Sequence, residues 1–156
     1  MFSTSITVKL VLALSFNFLE ASANDITATI NDIDLRIDEI KNKYFLIRHD
    51  IFSPRNSVST NFDIYSDSLK AISSKLRASR NEIFKKIFDQ DIEGNNLNKI
   101  SKIKLKSELL NNSISVLYTI NEYYNTPYKR QFSSFANYKS QIKRLVTFEK
   151  LLYNME

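Results

Sequence analysis

The chain offers few side chains that could do chemistry, and their spacing narrows the options further. It has one histidine and no cysteine. A Ser-His-Asp relay needs a positioned imidazole, and the heptad pattern described below puts His49 at the outermost helical position, facing water. No Glu-x-x-His pair is present, which removes the ligand pattern of carboxylate-bridged metal bundles. Thiol catalysis, disulfides and cysteine-based zinc sites need a residue the chain lacks. A single glycine cannot build a phosphate-cradling loop, a dinucleotide fingerprint or a nucleophile elbow.

One stretch resembles a metal loop. Asp89-x-Asp91-x-Glu93-Gly94 matches the first positions of a calcium-binding loop. The match ends at the twelfth position, where a bidentate acid is needed and Ile100 stands. Three acids at a helix C-terminus also oppose the helix dipole. A solvated acidic turn is the reading we adopt, with no metal, no cofactor and no catalytic residue, and the chain is expected not to be an enzyme.

Binding residues are more plentiful. Tyr123, Tyr124, Tyr128, Lys129 and Arg130 crowd a short stretch, and Arg55 lies in the break after the first helical segment. Tyrosine and arginine are favoured at protein-binding hot spots, so these six form a candidate partner-binding tip. The competing reading is that the aromatics close the end of the core and only their hydroxyls reach water. A second cluster is basic: Lys85, Lys86, Lys99, Lys102 and Lys106, with Lys104, Arg144 and Lys150 in the same region. Lysines in the first turns of a helix oppose its dipole, so they suggest an anionic surface such as nucleic acid, lipid headgroups or a sulfated glycan. Nearby Asp89, Asp91 and Glu93 dilute that field and favour a solvated mixed face.

The elements that must carry these residues are legible from apolar spacing. Ile26, Ile30, Ile33, Ile37, Ile40, Tyr44, Ile47 and Ile51 alternate by four and three, the a and d positions of a heptad. Pro54 then breaks the pattern. A second stripe runs Val58, Phe62, Tyr65, Leu69, Ile72, Leu76, Ser79, Ile83, with Ser57 or Thr60 as caps. Gly94 is expected in a left-handed conformation just past its end. The third stripe is Ile100, Ile103, Ser107, Leu110, Ile114, Leu117, Asn121, Tyr124, widened by Leu109, Val116 and Ile120. Thr126-Pro127 opens a fourth helix, with Tyr128, Phe132, Phe135, Tyr138, Ile142, Leu145, Phe148 and Leu152.

These stripes predict an all-α, up-down-up-down four-helix bundle with helices over about 25–52, 58–88, 97–124 and 127–154. A helical hairpin that dimerises would use the same stripes, so the oligomeric state stays open. One glycine and two prolines in 156 residues fit a few long helices, because tight turns draw on those residues. The net charge is +5. By segment it is −2 over residues 24–52, +1 over 53–96 and +6 over 97–156, so the C-terminal half is the basic half.

Residues 1–23 read as a secretory signal peptide. Lys9 supplies the only positive charge of the first segment, Leu10 to Leu19 is mostly apolar, and Ala21-Ser22-Ala23 gives small residues at a cleavage site. The apolar run is too short to span a bilayer. The rival reading is an ordinary first helix of a cytosolic protein. The leader, the missing cysteine and the abundant Asn, Lys and Ile together suggest export by a host-associated bacterium with an AT-rich genome. The expected mature domain is residues 24–156, located outside the cell or in the periplasm. It is expected to bind a protein partner, with the host as a candidate source, and no small-molecule substrate. The alternative is a cytosolic binder of nucleic acid. A glycosylation sequon at Asn111-Asn112-Ser113 is a weak pattern.

Overall fold

A computed structural model describes residues 4–53, 62–88, 94–125 and 132–155, and the side chains of 26–53, 63–85, 94–123 and 136–155. Four helices account for nearly all of it: α1 (Thr4–Phe52), α2 (Phe62–Phe88), α3 (Asn95–Asn125) and α4 (Phe132–Tyr153). They pack against one another as an all-α bundle.

The first helix differs from its expected extent. The sequence places its start near residue 25, but α1 runs unbroken from Thr4 for 49 residues, about 74 Å at 1.5 Å per residue. No glycine or proline occurs before Pro54, so nothing in the backbone stops it. At its other end α1 stops at Phe52, where Ser53 N–H donates to the Asp50 carbonyl at 3.2 Å. α3 occupies two residues more than expected at its N-terminus and one more at its C-terminus. Positions 58–61 and 127–131, assigned from sequence to the starts of the second and fourth helices, lie outside the described residues. So do the capping residues Ser57, Thr60, Thr126 and Pro127.

Gly94 has φ of +64°, the left-handed region where a side chain is strained. Residues 89–93, between α2 and Gly94, lie outside the described residues, and with them the expected cap on the second helix. The Gly94 carbonyl accepts a hydrogen bond from Leu97 N–H at 3.2 Å. Gly94 therefore opens α3.

α3 is the central helix. It packs against α1, α2 and α4, while α1 also packs on α2. A helix with neighbours on three sides must bury a wide arc. That is why Leu109, Val116 and Ile120 are buried along with Ile100, Ile103, Leu110, Ile114 and Leu117. Four small or polar side chains, Ser79, Ser107, Ser113 and Asn121, are buried in the same region. On α1 the buried residues are Ile30, Ile33, Ile37, Ile40 and Tyr44, with Ile26, Ile47 and Ile51 packed partly buried at the ends. On α2 they are Leu69, Ile72, Leu76 and Ile83. There the expected Tyr65 is half-buried and its neighbour Ser66 takes the inner position. On α4, Leu145 and Leu152 are buried.

Cross-helix pairs fix the registers. Between α1 and α3 they rise together: Thr27 with Asn96, Asn31 with Lys99, and Asp34 and Asp38 with Lys106. Between α2 and α3 they run oppositely: Ser66 with Asn121, Lys70 with Tyr118, Arg80 with Glu108, Phe84 with Lys104. Arg36 of α1 reaches Glu82 of α2 at 2.8 Å. α1 and α4 meet through long side chains, with Tyr44 and Arg48 on Glu149 and Phe45 against Tyr153.

Candidate functional site

Three regions carry the polar and aromatic residues of interest: the tip, the basic end and the seam where α1 faces α3 and α4. At the tip, Arg55, Tyr128, Lys129 and Arg130 lie outside the described residues, as does the side chain of Tyr124. Tyr123 is half-buried, and its ring stacks on Tyr138 of α4 with centroids 4.7 Å apart and planes 20° from parallel. One face of Tyr123 is thus used to join α3 to α4. A shallow cavity of about 230 Å³ sits beside this pair. The last turn of α1 carries Phe52 with the Arg48 guanidinium 5.3 Å from its ring centroid.

The basic end divides. Lys85 and Lys102 are exposed. Lys99 is exposed too, with its ammonium 3.5 Å from Asn31 Oδ1. Lys86 lies in α2, and its side chain is outside the described residues. Lys106 differs from these, contrary to its expected place among outward cations. Its ammonium donates to Asp34 Oδ1 at 2.5 Å and to Asp38 Oδ1 at 2.9 Å, and its side chain is mostly buried. Burial alone would lower its pKa, but the hydrogen bonds it donates to the two carboxylates, together with their charge, outweigh burial and the pKa is raised. Lys104 lies over the Phe84 ring at 5.0 Å, and Arg144 over Phe148 at 6.0 Å.

The seam is the densest polar region. Tyr44, fully buried, donates to Glu149 Oε1 at 2.6 Å. Arg48 Nε donates to the same oxygen at 2.6 Å. Burial first, and the charge of Glu149 second, push the Tyr44 phenol well above its ordinary pKa. One turn and more along α1, Asp34, Asp38 and Lys41 line a cleft of about 420 Å³ with Lys106 of α3 and Leu152 of α4. Lys41 approaches Asp38 at 3.6 Å. Charges of both signs meet here in close pairs, and both Tyr44 and Lys106 hold their protons more tightly than usual. Groups in that condition are poor bases and poor nucleophiles. The arrangement joins helices.

Sequence reading missed Glu149, which lies one position beyond Phe148 of the fourth stripe. The available signal was Tyr44: a phenol at a core position needs a hydrogen-bond partner. Lys106 was misread because it sits beside Ser107 of the third stripe. Asp34 and Asp38, four residues apart on one face of α1, were the cue to its partners.

His49 is exposed, as its heptad position requires. Asp89, Asp91 and Glu93 lie outside the described residues. Among the described residues no group of three or more His, Cys, Asp or Glu could hold a metal ion. No helix among them is long and apolar enough to cross a membrane. The sequon Ser113 is fully buried and donates to the Leu109 carbonyl at 2.8 Å in mid-helix, a poor acceptor setting for Asn111. No family model, curated protein or solved structure matches the chain.

Proposed function

We propose that this chain is an exported, non-enzymatic helical bundle that acts by binding another protein. The scaffold of this reading is the up-down-up-down arrangement. The register between α1 and α3 is the observation that carries it. Paired residues on these helices are 68 to 72 positions apart. Continuing that offset brings Phe52 level with the Asn121–Tyr123 turn of α3, so both helices end at one level of the bundle. Arg55 and the Tyr123–Arg130 segment would then form one surface of tyrosine and arginine, the side chains that dominate protein-binding hot spots.

The test is capture from host extract with the tagged full chain and with Arg130→Ala and Tyr124→Ala. Both substitutions should abolish capture of the same partner while far-UV circular dichroism stays unchanged. Unchanged capture would remove the tip. Export rests on the three-part pattern of residues 1–23. Protein recovered from its native host should begin at Asn24, and a retained Met1 would overturn export. The cytosolic polyanion reading keeps Lys85, Lys99 and Lys102 as exposed cations and loses Lys106 to its aspartates.

A further inference from the structure

We propose that the groove between α2 and α3 binds a small sugar-sized ligand bearing a tetrahedral oxyanion, a phosphate or sulfate ester. The groove has a volume of about 460 Å³, within the size range of small-molecule sites. It lies along the flank of the bundle, its lining includes none of the tip residues nor Lys85, Lys99 and Lys102, and it does not depend on the protein-binding reading.

Its chemistry is one-sided. α2 supplies Lys70 and Arg77, two helical turns apart, with Ser73 and Ser74 between them. α3 supplies Asn111, Ser115 and Tyr118 at i, i+4 and i+7 spacing, which places all three on one face. Every one of these side chains can donate a hydrogen bond, and no carboxylate lines the groove. The floor is apolar, made by the buried Leu69 and Ile114. Two cations, hydroxyl and amide donors, and an apolar floor suit an oxyanion on a sugar ring. The charged oxygens meet the cations, the ring hydroxyls meet Ser73, Ser74 and Ser115, and the C–H face lies on Leu69 and Ile114.

Both cations are available. Lys70 meets Asp67 at 3.7 Å, but both side chains are more than half exposed, and such pairs hold weakly. Its ammonium also lies 5.9 Å from the Tyr118 ring centroid, directed toward the groove wall. Arg77 has no ion-pair partner among the described residues. Its guanidinium can take an oxyanion through two parallel N–H donors, the geometry at which arginine surpasses lysine. Glu108 of α3, three residues before Asn111, lies 3.9 Å from Arg80. Negative charge therefore stands at the groove's two ends, Asp67 and Glu108, and not in its middle.

The experiment is titration calorimetry of the full chain at low ionic strength with three probes, glucose 6-phosphate, glucose 6-sulfate and glucose. At least one ester should bind with a Kd of roughly 1 mM or tighter, and glucose should bind at least about tenfold more weakly. Arg77→Gln and Lys70→Gln should each weaken the ester by about fivefold or more, while Lys102→Gln leaves it unchanged. Both substituted side chains are exposed, so the variants should melt as the parent does. Binding of one ester alone identifies the oxyanion. No binding of either at about 10 mM overturns the proposal. So does equal binding by the Arg77→Gln/Lys70→Gln double variant.

Discussion

Tyr44 and Glu149, 105 residues apart, share a hydrogen bond of 2.6 Å that ties α1 to α4. The backbones of these helices do not approach closely, since α4 packs directly on α3 alone. The long side chains of the seam therefore hold the fourth helix to the first. Glu149 is buried and accepts from both Tyr44 and Arg48 on one oxygen. Truncating it strands a buried phenol and a half-buried guanidinium.

Glu149→Ala should accordingly destabilise the fold by about 3 kcal/mol, the cost of leaving a buried partner uncompensated. Tyr44→Phe removes one hydrogen bond to a charged group and keeps the ring, so it should cost about 1.5 kcal/mol. Urea melts of both single variants and the double variant give the coupling. A coupling near zero would mean that the two groups do not depend on each other.

Alkaline pH should weaken the bundle through the same seam. The Tyr44 phenol is raised by burial and then by the Glu149 charge, and Lys106 is raised by its two aspartates. A group whose folded pKa lies above its unfolded value binds more protons when folded, so stability falls as pH rises. The contributions are complete below the unfolded values, about 10 for tyrosine and 10.4 for lysine, and fade above them. The melting temperature should be flat from neutral pH to about 9.5 and drop beyond it. Tyr44→Phe should lessen that drop. An identical alkaline profile in the variant would show that Tyr44 does not carry it.

The all-α core was legible because heptad spacing reports which residues a helix can hide. Ile30, Ile33, Ile37, Ile40 and Tyr44 of the first stripe are all buried. The stripe does not report how many neighbours a helix has, so Ser113, buried because α3 is surrounded, fell outside the pattern. Nor does it report which charged residue turns inward. Lys102 and Lys106 look alike in sequence, and only the aspartates of α1 separate them. The left-handed backbone of Gly94 was readable, because a lone glycine beside a helical stripe suits that conformation. Of the partner-binding tip, Tyr123 alone is described with its side chain, stacked on Tyr138.

That separation among the lysines predicts a split in any polyanion binding. Binding of the chain to duplex DNA would release counterions in proportion to the phosphates contacted, with a slope change of about 0.9 per lysine in log K against log salt. Lys85→Gln, Lys99→Gln and Lys102→Gln should each reduce the slope. Lys106→Gln should leave it unaltered, because its ammonium is held between Asp34 and Asp38. A slope reduced by Lys106→Gln and by none of the others would reverse the assignment. Slopes are measured by fluorescence anisotropy across a salt series.

The serines inside the bundle set how closely α3 approaches its neighbours. Ser107 and Ser113 are essentially inaccessible, and each hydroxyl returns to a carbonyl of its own helix, Lys104 and Leu109, at 2.8 Å. Ser107 adds small volume and no link between helices, whereas Ser113 also lies within hydrogen-bond reach of the Tyr44 phenol of α1, where it opposes the rise in that phenol's pKa. Ser113→Ala should therefore cost about 1 kcal/mol, the worth of one hydrogen bond. Ser113→Leu should cost about 1–3 kcal/mol through overpacking. Leu117→Ala, at a fully buried position on the same helix, should cost about 3–4 kcal/mol from lost transfer energy and the cavity left behind. Leu105→Ala, where the side chain is 50% exposed, should fall within about 0.5 kcal/mol of the parent. Thermal and urea denaturation rank the four. If Ser113→Leu stabilised the chain, α3 would have unfilled space beside it, and its close fit to three helices would not hold.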